Sequence, residues 1–392
     1  MRVFNSLKAI SKNRKVVLVA WNNLENLRSP ESLRLIEELG VELVTFELPT
    51  FGNTIKSKRF LKGKLGTAVL VSHKVILREK YQRDRYIAEQ ISKIAKSRKI
   101  LTIWFTYANL SVPIIARIKT KTPKLVVVED TDSVWSRYIL RSASYKPLLK
   151  RIGTYKSGFI KQGQEKRLVN LADCTTAVSE VDMKYYQALS RKPQNVRLAY
   201  NVIDITKYTK RLDRNLQENF SVLLSGTFGH KYSPMDVAAK WFLEEVWPLV
   251  FRKNPKATLL LVGRNSDKLW TSAPELGVHV TGEVESIDRY LNNSRLSVVP
   301  LWFESGTRFK ILEAAASGLP IVSTTLGAEG LDMRHSEEIL IADNPEEFAN
   351  SILKIFHSDL GISLGERAFQ KVSSKYDLRM LENQVEDILN LY

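Results

Sequence analysis

The chain has 392 residues, of which 44% are hydrophobic and 26% charged, with 18 Gly and 13 Pro. This composition excludes a disordered, collagen-like or low-complexity protein, and the length predicts two domains, each with its own core. The single cysteine, Cys174, excludes a disulfide-stapled secreted domain and fits a reducing compartment. No apolar run approaches the ~18 residues of a membrane-spanning helix, and the basic start lacks the apolar region of a signal peptide. We therefore expect a cytoplasmic protein.

Charge is unevenly distributed between the two halves. Residues 1–200 hold 38 Lys/Arg against 16 Asp/Glu, a net charge of +22, whereas residues 201–392 carry −5, for a total of +17. This asymmetry predicts that the first half faces an anionic partner, which can be a nucleic acid, a lipid surface or a phosphorylated substrate. Charge alone does not choose among these partners.

The first half alternates short apolar runs with helical patterns. A βαβ opening is formed by a strand at 15–21, a helix at 30–39 that stops at Gly40, and a strand at 41–48. Residues 51–99 carry 14 Lys/Arg and 3 Asp/Glu, and they predict a basic loop followed by a helix at 81–99. The further strands are predicted at 100–105, 124–130, 174–178 and 196–200. This order is typical of a parallel sheet covered by helices.

The second half repeats the alternation. Strands are predicted at 220–226, 257–263, 278–282, 296–301, 320–324 and 339–343, with helices at 234–252, 308–317 and 345–358. The chain therefore divides into an N-terminal domain (1–203), a polar linker (204–219), a C-terminal domain (220–377) and a last helix (378–392). That helix either closes the C-terminal domain or crosses back to the N-terminal one. Ligands of such doubly wound folds bind at the carboxyl ends of the strands.

The segment 300–324 contains the most informative motif. A strand ends near Leu301, Gly306 follows in a loop, and a helix begins near Thr307 or Arg308. Arg308 and Lys310 are unfavourable at a helix N-terminus unless an anion binds there, which predicts a phosphate site. Glu313 can accept hydrogen bonds from a ribose diol. The alternative is a solvated helix start with a Lys310–Glu313 surface pair.

Two further segments contain candidate site residues. The loop 225–234 contains Gly226 and Gly229, which allow close approach to a ligand, and either His230 or Lys231 can reach a phosphate; a plain strand–helix connection fits equally. Asp130 and Asp132, at the end of a predicted strand, are candidates for a general base or a hydroxyl-binding group, or cap a helix near Ser133.

Several other polar residues carry weaker signals. Glu165 reads as a surface acid. The five histidines show no ligand spacing, so we expect no metal site. Segment 137–168 interleaves nine Lys/Arg with aromatic residues and contains one acid, which suits an anionic membrane surface, a nucleic acid or a solvated face.

Taken in order, these segments resemble glycosyltransferases of the GT-B fold, in the retaining family 4 and its relatives. The resemblance is strongest over 220–345, where "SGTFGHKYSPMDVAAKWFLEEVWPLV", "ATLLLVGRN", "SGTRFKILEAAASGLPIVSTTLGAEGL" and "ILIADNPEEFA" follow the family's order. It implies two Rossmann-like domains that face each other across a cleft, with the donor on the C-terminal domain and the acceptor mainly on the N-terminal one.

The resemblance also implies roles for individual residues. Arg308 and Lys310 would bind the donor diphosphate and stabilise the charge on the leaving group, Glu313 would bind the ribose, and Arg264 would lie near the base. Asp130 and Asp132 would lie near the reacting centre. The complete donor site would comprise Gly226, Thr227, Gly229, Lys231, Arg264, Ser305, Gly306, Thr307, Arg308, Lys310 and Glu313. The family's paired glutamates stand eight apart, but the position eight before Glu313 is Ser305, with Glu304 adjacent.

We therefore predict a glycosyltransferase that transfers a sugar from a UDP- or GDP-sugar to a lipid-linked or cell-surface glycan. Retention of configuration and metal independence follow from the resemblance, and no cofactor beyond the donor substrate is expected. The basic N-terminal domain would lie on the anionic inner face of the cell membrane, and no nucleic acid is expected as a partner. The alternatives are a nucleotide-sugar 2-epimerase and a nucleic-acid-binding protein with a degenerate catalytic site.

Overall fold

The computed structural model describes residues 2–21, 29–49, 65–106, 112–210, 219–229 and 232–392. Its strands form three parallel sheets, and their apolar Val, Leu and Ile runs are typical of strands covered on both faces. The strands are β1 Val17–Ala20, β2 Glu42–Thr45, β3 Thr102–Thr106, β4 Val126–Asp130, β5 Cys174–Ala177, β6 Val196–Leu198, β7 Ser221–Ser225, β8 Thr258–Val262, β9 Val278–Gly282, β10 Leu296–Val299, β11 Ile321–Ser323 and β12 Leu340–Ile341.

Helices connect these strands and cover the sheets. Several begin after a Ser, Asp or Asn whose side chain accepts a main-chain hydrogen bond, as Asn344 does from the N–H of Glu347. The helices are α1 Arg2–Ser11, α2 Pro30–Glu38, α3 Leu65–Ser97, α4 Val112–Lys121, α5 Trp135–Ser142, α6 Leu148–Val169, α7 Glu180–Leu189, α8 Pro234–Trp241, α9 Trp247–Lys253, α10 Ser266–Leu269, α11 Asp288–Asn293, α12 Phe309–Ala316, α13 Thr325–Ala328, α14 Pro345–Phe356, α15 Leu360–Lys375 and α16 Leu378–Leu389. A π-helical segment, Phe242–Val246, joins α8 to α9.

The second half contains one six-stranded sheet with the order β12-β11-β10-β7-β8-β9. The strand order reverses beside β7, so the carboxyl ends of β7 and β10 open a crevice of the kind where ligands bind in open α/β sheets. The connections that follow these two strands, 226–233 and 300–308, contain most of the candidate donor residues.

The first half contains the four-stranded sheet β3-β4-β5-β6 and a separate parallel pair, β1-β2. Val19, Trp21, Phe46 and Leu48 pack against the core beneath β3 and β4, which seats the pair on the rest of this half. With its two parallel α/β halves, the chain has the predicted fold class.

The two ends of the chain meet where the halves join. The main-chain N–H of Ile203 donates to the carbonyl of Tyr376 at 3.0 Å, and that of Leu378 donates to the carbonyl of Ile203 at 3.0 Å. Helix α16 then packs on α1, where Lys12 pairs with Glu382 and Arg14 with Glu386. The last helix therefore contacts an element of the N-terminal half.

One predicted element differs in extent from the structure. Helix α3 begins at Leu65, well before the predicted start at 81. The apolar residues of 65–80 form short clusters in the sequence, and periodicity does not separate a helix from a strand in such runs. The first part of the predicted basic loop, 51–64, lies outside the described residues, and its second part, 65–80, is helical in the structure. Within the part of the chain that the structure describes, no helix is both long and apolar enough to span a lipid bilayer.

Candidate functional site

A cavity of about 480 Å³ lies between the two halves. Loops at the carboxyl ends of β4 and β10 line it from opposite sides, as the doubly wound topology predicts. Both halves contribute polar and aromatic side chains, which suits a polar ligand with a flat or ring-shaped part. Its lining residues are Arg2, Asp132, Ser133, Trp135, Tyr138 and Asn201 from the first half and Glu304, Ser305, Thr307 and Phe309 from the second.

The loop after β10 touches the first half at close range. Gly306 has φ +77°, and a Cβ there would lie 2.9 Å from the carbonyl oxygen of Asp132, so only glycine fits. The Ser305 hydroxyl accepts a hydrogen bond from the main-chain N–H of Val134 at 3.0 Å, and Asn201 donates to the Thr307 hydroxyl at 2.8 Å. These three predicted donor residues thus connect the two halves at the cavity wall.

Arg308 is the N-cap residue of α12, and its side chain is buried. Its guanidinium donates to the carbonyl oxygens of Gly306 and, at 2.8 Å, Leu326, while Nε has no partner. Burial lowers the pKa of Arg308, although Glu304 and Glu329 oppose the shift. The side chain therefore lies beneath the loop and is held by main-chain acceptors.

Lys310, in the first turn of α12, is a second enclosed cation. Its ammonium group lies 2.6 Å from the sulfur of Met235, an uncharged neighbour. Burial lowers the pKa of Lys310 to about 8, with Glu304 and Glu313 opposing the shift. Lys310 thus titrates close to neutral pH.

Neither cation forms an ion pair with a carboxylate in the described part of the chain. Both stand at the start of α12, where the helix dipole already places positive charge. Arg308 is buried and Lys310 is partly buried. A cation withdrawn from water without a carboxylate partner is costly, and a bound anion would relieve that cost. The predicted Lys310–Glu313 surface pair is not formed; instead Glu313 accepts a hydrogen bond from the Tyr208 hydroxyl at 3.3 Å.

Glu304 is the carboxylate closest to these cations that also lines the cavity. Burial raises the pKa of Glu304, whereas the positive charges of Arg308 and Lys310 oppose this shift. Sequence reasoning placed Ser305 in the register of the family's first glutamate and named Glu304 only as its neighbour. In the structure the Ser305 hydroxyl accepts a hydrogen bond from the main-chain N–H of Val134, and the carboxylate that lines the cavity here is that of Glu304.

The glycine loop after β7 packs closely against the loop after β8. A Cβ on Gly263 would lie 2.0 Å from the carbonyl oxygen of Gly226, and one on Gly229 would lie 2.8 Å from the Asn265 Cβ. Gly229 has φ +102°, and Thr227 between the two glycines is exposed. Lys231 lies outside the described residues, as does His230.

Arg264 lies in the loop after β8, at the outer rim. Its guanidinium pairs with Glu283 at 3.0 Å, and both side chains are 63% exposed. Exposed pairs of this kind contribute little to stability, so Arg264 stays accessible to a ligand.

The structure corrects the prediction for Asp130. Its carboxylate is buried and accepts hydrogen bonds from Arg2, from the Ser6 hydroxyl at 3.0 Å and from the Thr176 hydroxyl at 2.7 Å. Every partner comes from the first half, and the carboxylate does not reach the cavity. Asp130 thus joins α1 to the four-stranded sheet and is not placed to act on a substrate.

Asp132 does line the cavity. It accepts a hydrogen bond from the Trp135 indole N–H at 3.0 Å, and burial raises its pKa. It does not cap α5, which begins at Trp135 after the N-cap residue Val134. Of the two predicted catalytic aspartates, only Asp132 has access to a ligand.

The prediction for Glu165 is also wrong, because this residue is fully buried and is not a surface acid. Its carboxylate accepts hydrogen bonds from the main-chain N–H of Ser136 at 2.9 Å, from the Ser136 hydroxyl at 2.6 Å and from the Tyr185 hydroxyl at 2.9 Å. This anion compensates the N-terminus of α5, the helix that carries Trp135 and Tyr138.

Sequence reasoning did not identify an ion-pair cluster across the cleft. Arg141 donates to Glu329 at 2.7 and 2.8 Å and to the carbonyl oxygen of Glu304 at 2.7 Å, and Arg137 reaches Glu329 at 3.1 Å. Burial alone would raise the pKa of Glu329, but Arg141 and Arg137 hold it below its usual value. Glu329 lies in the segment "TTLGAEGL", which is one of those that resemble the family. Its partners Arg141 and Arg137 lie 188 and 192 residues away in the sequence, so no local pattern connects them with Glu329.

Among the described residues, no group of three or more His, Cys, Asp or Glu side chains is arranged to hold a metal ion.

Residues 221–358 match the family model described as Glycosyl transferases group 1. A protein from Klebsiella pneumoniae, described as an uncharacterized 44.6 kDa protein in the cps region, is 21% identical over 155 residues, or 37% of this chain. That match spans 40% of the relative's own length.

Solved structures of two-domain proteins share the whole architecture. Anabaena Alr3699/HepE in complex with UDP superposes with a TM-score of 0.65 at 14% identity, over 99% of this chain and 96% of its own. The sucrose-phosphate synthase of Thermosynechococcus elongatus does so with a TM-score of 0.63 at 14% identity, over 96% of this chain and 99% of its own. Residues 221–358 are therefore similar to a group 1 glycosyltransferase domain, and the chain has the GT-B fold.

Proposed function

We propose that the protein transfers a sugar from a UDP- or GDP-sugar to a hydroxyl group of an acceptor bound in the cleft. The observation that carries this proposal is the pair of enclosed cations, Arg308 and Lys310, which lack carboxylate partners at the start of α12. A donor diphosphate supplies the anion that this site lacks. Anabaena HepE, whose structure contains UDP, supports a nucleotide in the same fold.

The reaction would break the bond between the sugar C1 and the diphosphate oxygen and form a bond from C1 to the acceptor oxygen, whose hydroxyl proton would pass to the leaving diphosphate. Arg308 and Lys310 would stabilise the negative charge that develops on the leaving diphosphate, a role that metal-dependent transferases give to a divalent cation. We propose that transfer proceeds with retention and without a metal.

The neighbouring polar residues suit the other parts of the two substrates. Glu313 would accept hydrogen bonds from the ribose diol, and Glu304 would contact the donor sugar from the cavity wall. Asp132, on the opposite wall, would orient the acceptor hydroxyl.

We propose a lipid-linked or cell-surface glycan as the acceptor. The +22 charge of residues 1–200 favours a protein that works at an anionic membrane surface. The similarity to a protein of a cps region agrees with a role in polysaccharide synthesis.

The test is release of nucleotide from UDP- and GDP-sugars in the presence of lipid-linked acceptors, with formation of a glycosylated product. We expect the Lys310→Ala variant to lose about 100-fold or more in turnover, because a positioned charge on the leaving group is removed. The matched control is Lys268→Ala, an exposed lysine of the same half, which should keep full activity. Equal activity of Lys310→Ala and the unchanged protein would overturn the proposal, as would product formation from the donor alone, which indicates an epimerase.

A further inference from the structure

The outer face of α6 exposes an unusual amount of apolar surface. Leu149 is 94% exposed, Ile152 79% and Leu148 75%. Tyr155, Phe159 and Ile160 extend the same surface toward the end of the helix. Large contiguous apolar patches on a protein surface mark an interaction site, whereas single exposed residues do not.

These six residues, here called the outer face of α6, lie on one side of the helix. Leu148, Ile152, Tyr155 and Phe159 follow the spacing i, i+4, i+7 and i+11 that aligns side chains along a helix. The opposite side packs into the protein through Thr154, Gly158, Glu165, Leu168 and Val169. The outer face is therefore turned away from the core and has no partner within the described residues.

The packing of α6 fixes this orientation. A Cβ on Gly158 would lie 2.5 Å from Leu140 Cδ2, so α6 sits close against α5 and a larger residue at this position would require the Leu140 side chain to move. The three hydrogen bonds from Ser136 and Tyr185 to the buried Glu165 bind the same side of α6. Rotation of the helix to bury its outer face would break these contacts.

Positive charge surrounds the apolar stripe. Helix α6 contains six Lys/Arg and a single acid, the buried Glu165. Lys150, Lys156, Lys166 and Arg167 are exposed, and within the described part of the chain none of them forms an ion pair.

We propose that the outer face of α6 docks on the surface of an anionic lipid bilayer. Leu148, Leu149, Ile152, Phe159 and Ile160 would enter the boundary between headgroups and acyl chains, while the flanking cations contact lipid phosphates, as in other interfacial helices. This inference rests on the proposed function, because a lipid-linked acceptor lies at such a surface. Helix α5, which carries Trp135 and Tyr138 of the cavity wall, packs directly on α6.

Two other occupants fit the surface less well. A second copy of the chain would place the cations of one α6 beside those of the other, which repel each other. A nucleic acid would engage the cations, but phosphate contacts leave the aliphatic Leu149 and Ile152 without a role. A bilayer with anionic headgroups complements both parts of the surface.

The test is flotation of the full chain with phosphatidylcholine vesicles that contain or lack one-third phosphatidylglycerol. We expect binding to the anionic vesicles and a loss of at least about tenfold in partitioning for the double variant Leu149→Glu, Ile152→Glu. The matched control is Leu101→Glu, Leu276→Glu, since these side chains are 78% and 52% exposed outside α6. The charge variant Lys156→Glu, Lys166→Glu should also lose at least tenfold, because each nearby cation contributes about fivefold.

Four outcomes would overturn the docking surface. The first two are that the unchanged protein does not float with the vesicles, or that the Leu149→Glu, Ile152→Glu variant floats equally well. The third is that the unchanged protein forms a homodimer and this variant is a monomer. The fourth is that duplex RNA displaces the protein from the vesicles. Stabilisation by UDP or GDP, measured as a thermal shift on the same proteins, separates the two proposals. If one of the two nucleotides stabilises every variant and flotation fails, only the docking surface is wrong, whereas flotation without binding of either nucleotide leaves the docking surface and removes the proposed function.

Discussion

Two groups of buried and partly buried charges stand at strand ends on opposite sides of the cleft, and they differ in pairing. The Asp130 cluster, formed by Arg2, Ser6, Asp130 and Thr176, pairs its carboxylate with a guanidinium and two hydroxyls. The Arg308 cluster, formed by Glu304, Arg308, Lys310 and Glu313, leaves both cations without an ion pair.

A buried charge that has all its partners and one that lacks a partner affect stability and ligand binding differently. A buried charge whose partners are all present holds structural elements together, and removal of one partner destabilises the fold. A buried charge that lacks a partner costs free energy until a ligand supplies the opposite charge, and such perturbed groups cluster at functional sites. Both clusters contain residues that the sequence predicts to be catalytic, but only the Arg308 cluster has the unpaired charge that a ligand would complete.

The largest expected effect is on stability, in the Asp130 cluster. Asp130→Ala leaves Arg2 buried without its carboxylate, so we expect the free energy of unfolding to fall by about 3–5 kcal/mol. Urea unfolding measures this loss, and the folded fraction should bind UDP as the unchanged protein does. The control is Asp132→Ala, since Asp132 is only partly buried, and it should lose far less stability. A stable but inactive Asp130→Ala variant would contradict the distinction between the clusters.

In the Arg308 cluster the expected effect is on turnover. Arg308→Ala removes a cation that would stabilise the leaving diphosphate, so we expect turnover to fall about 10²–10³-fold. The loss of the hydrogen bonds to the Gly306 and Leu326 carbonyls opposes the relief of a buried charge, so stability should fall by less than for Asp130→Ala. Arg264→Ala is the comparison at the exposed rim, and its steady-state rate should change far less. A loss in the free energy of unfolding for Arg308→Ala as large as that expected for Asp130→Ala would contradict the distinction between the two clusters.

The pH dependence of nucleotide binding tests Lys310. Its pKa is lowered to about 8 in the free protein, so above pH 8 the neutral amine must take up a proton to pair with a diphosphate. We expect the Kd for UDP to be constant below that pH and to rise by up to about tenfold per pH unit above it. Lys310→Arg keeps its charge and should remove this dependence, and calorimetric titrations across the range measure both. A Kd of the unchanged protein that stays flat up to pH 10 would exclude Lys310 from the site.

The smallest expected effect lies in the ion-pair cluster that joins the two halves. Glu329→Gln removes the charge that Arg137 and Arg141 share, so we expect a loss of about 1–2 kcal/mol in unfolding free energy for this partly buried group. Glu283→Gln, which breaks the exposed pair with Arg264, should leave stability unchanged. Equal thermal unfolding of the two variants would show that the cluster across the cleft contributes no more than a surface pair.

Much of the fold could be predicted because each buried strand is a short apolar run between helical patterns. The strand at 220–226 is observed as Ser221–Ser225, and the helix at 345–358 as Pro345–Phe356. Helix α3 was predicted too short because an apolar cluster of a few residues looks the same in a helix and in a strand.

The sequence indicates candidate site residues only where the chemistry of adjacent residues determines them. Arg308 and Lys310 stand out because cations are unfavourable at a helix start, a property of adjacent residues. The burial and pairing of three acids, in contrast, depend on residues far away in the sequence. The partners are Arg2 for Asp130, 128 positions away, Ser136 for Glu165, 29 positions away, and Arg141 for Glu329, 188 positions away. No local pattern predicts such contacts, and none predicts the hydrogen bond from Val134 to the Ser305 hydroxyl.

The most direct test of the central claim is calorimetric titration of UDP, GDP and the two free nucleosides into the unchanged protein and the Arg308→Met variant. If the unpaired cations of the Arg308 cluster bind the donor diphosphate, one nucleotide binds the unchanged protein and loses about 100-fold in affinity in the variant, while its nucleoside binds both proteins equally. Equal affinity of UDP or GDP for the two proteins, or an equal loss for nucleoside and nucleotide, would contradict the account.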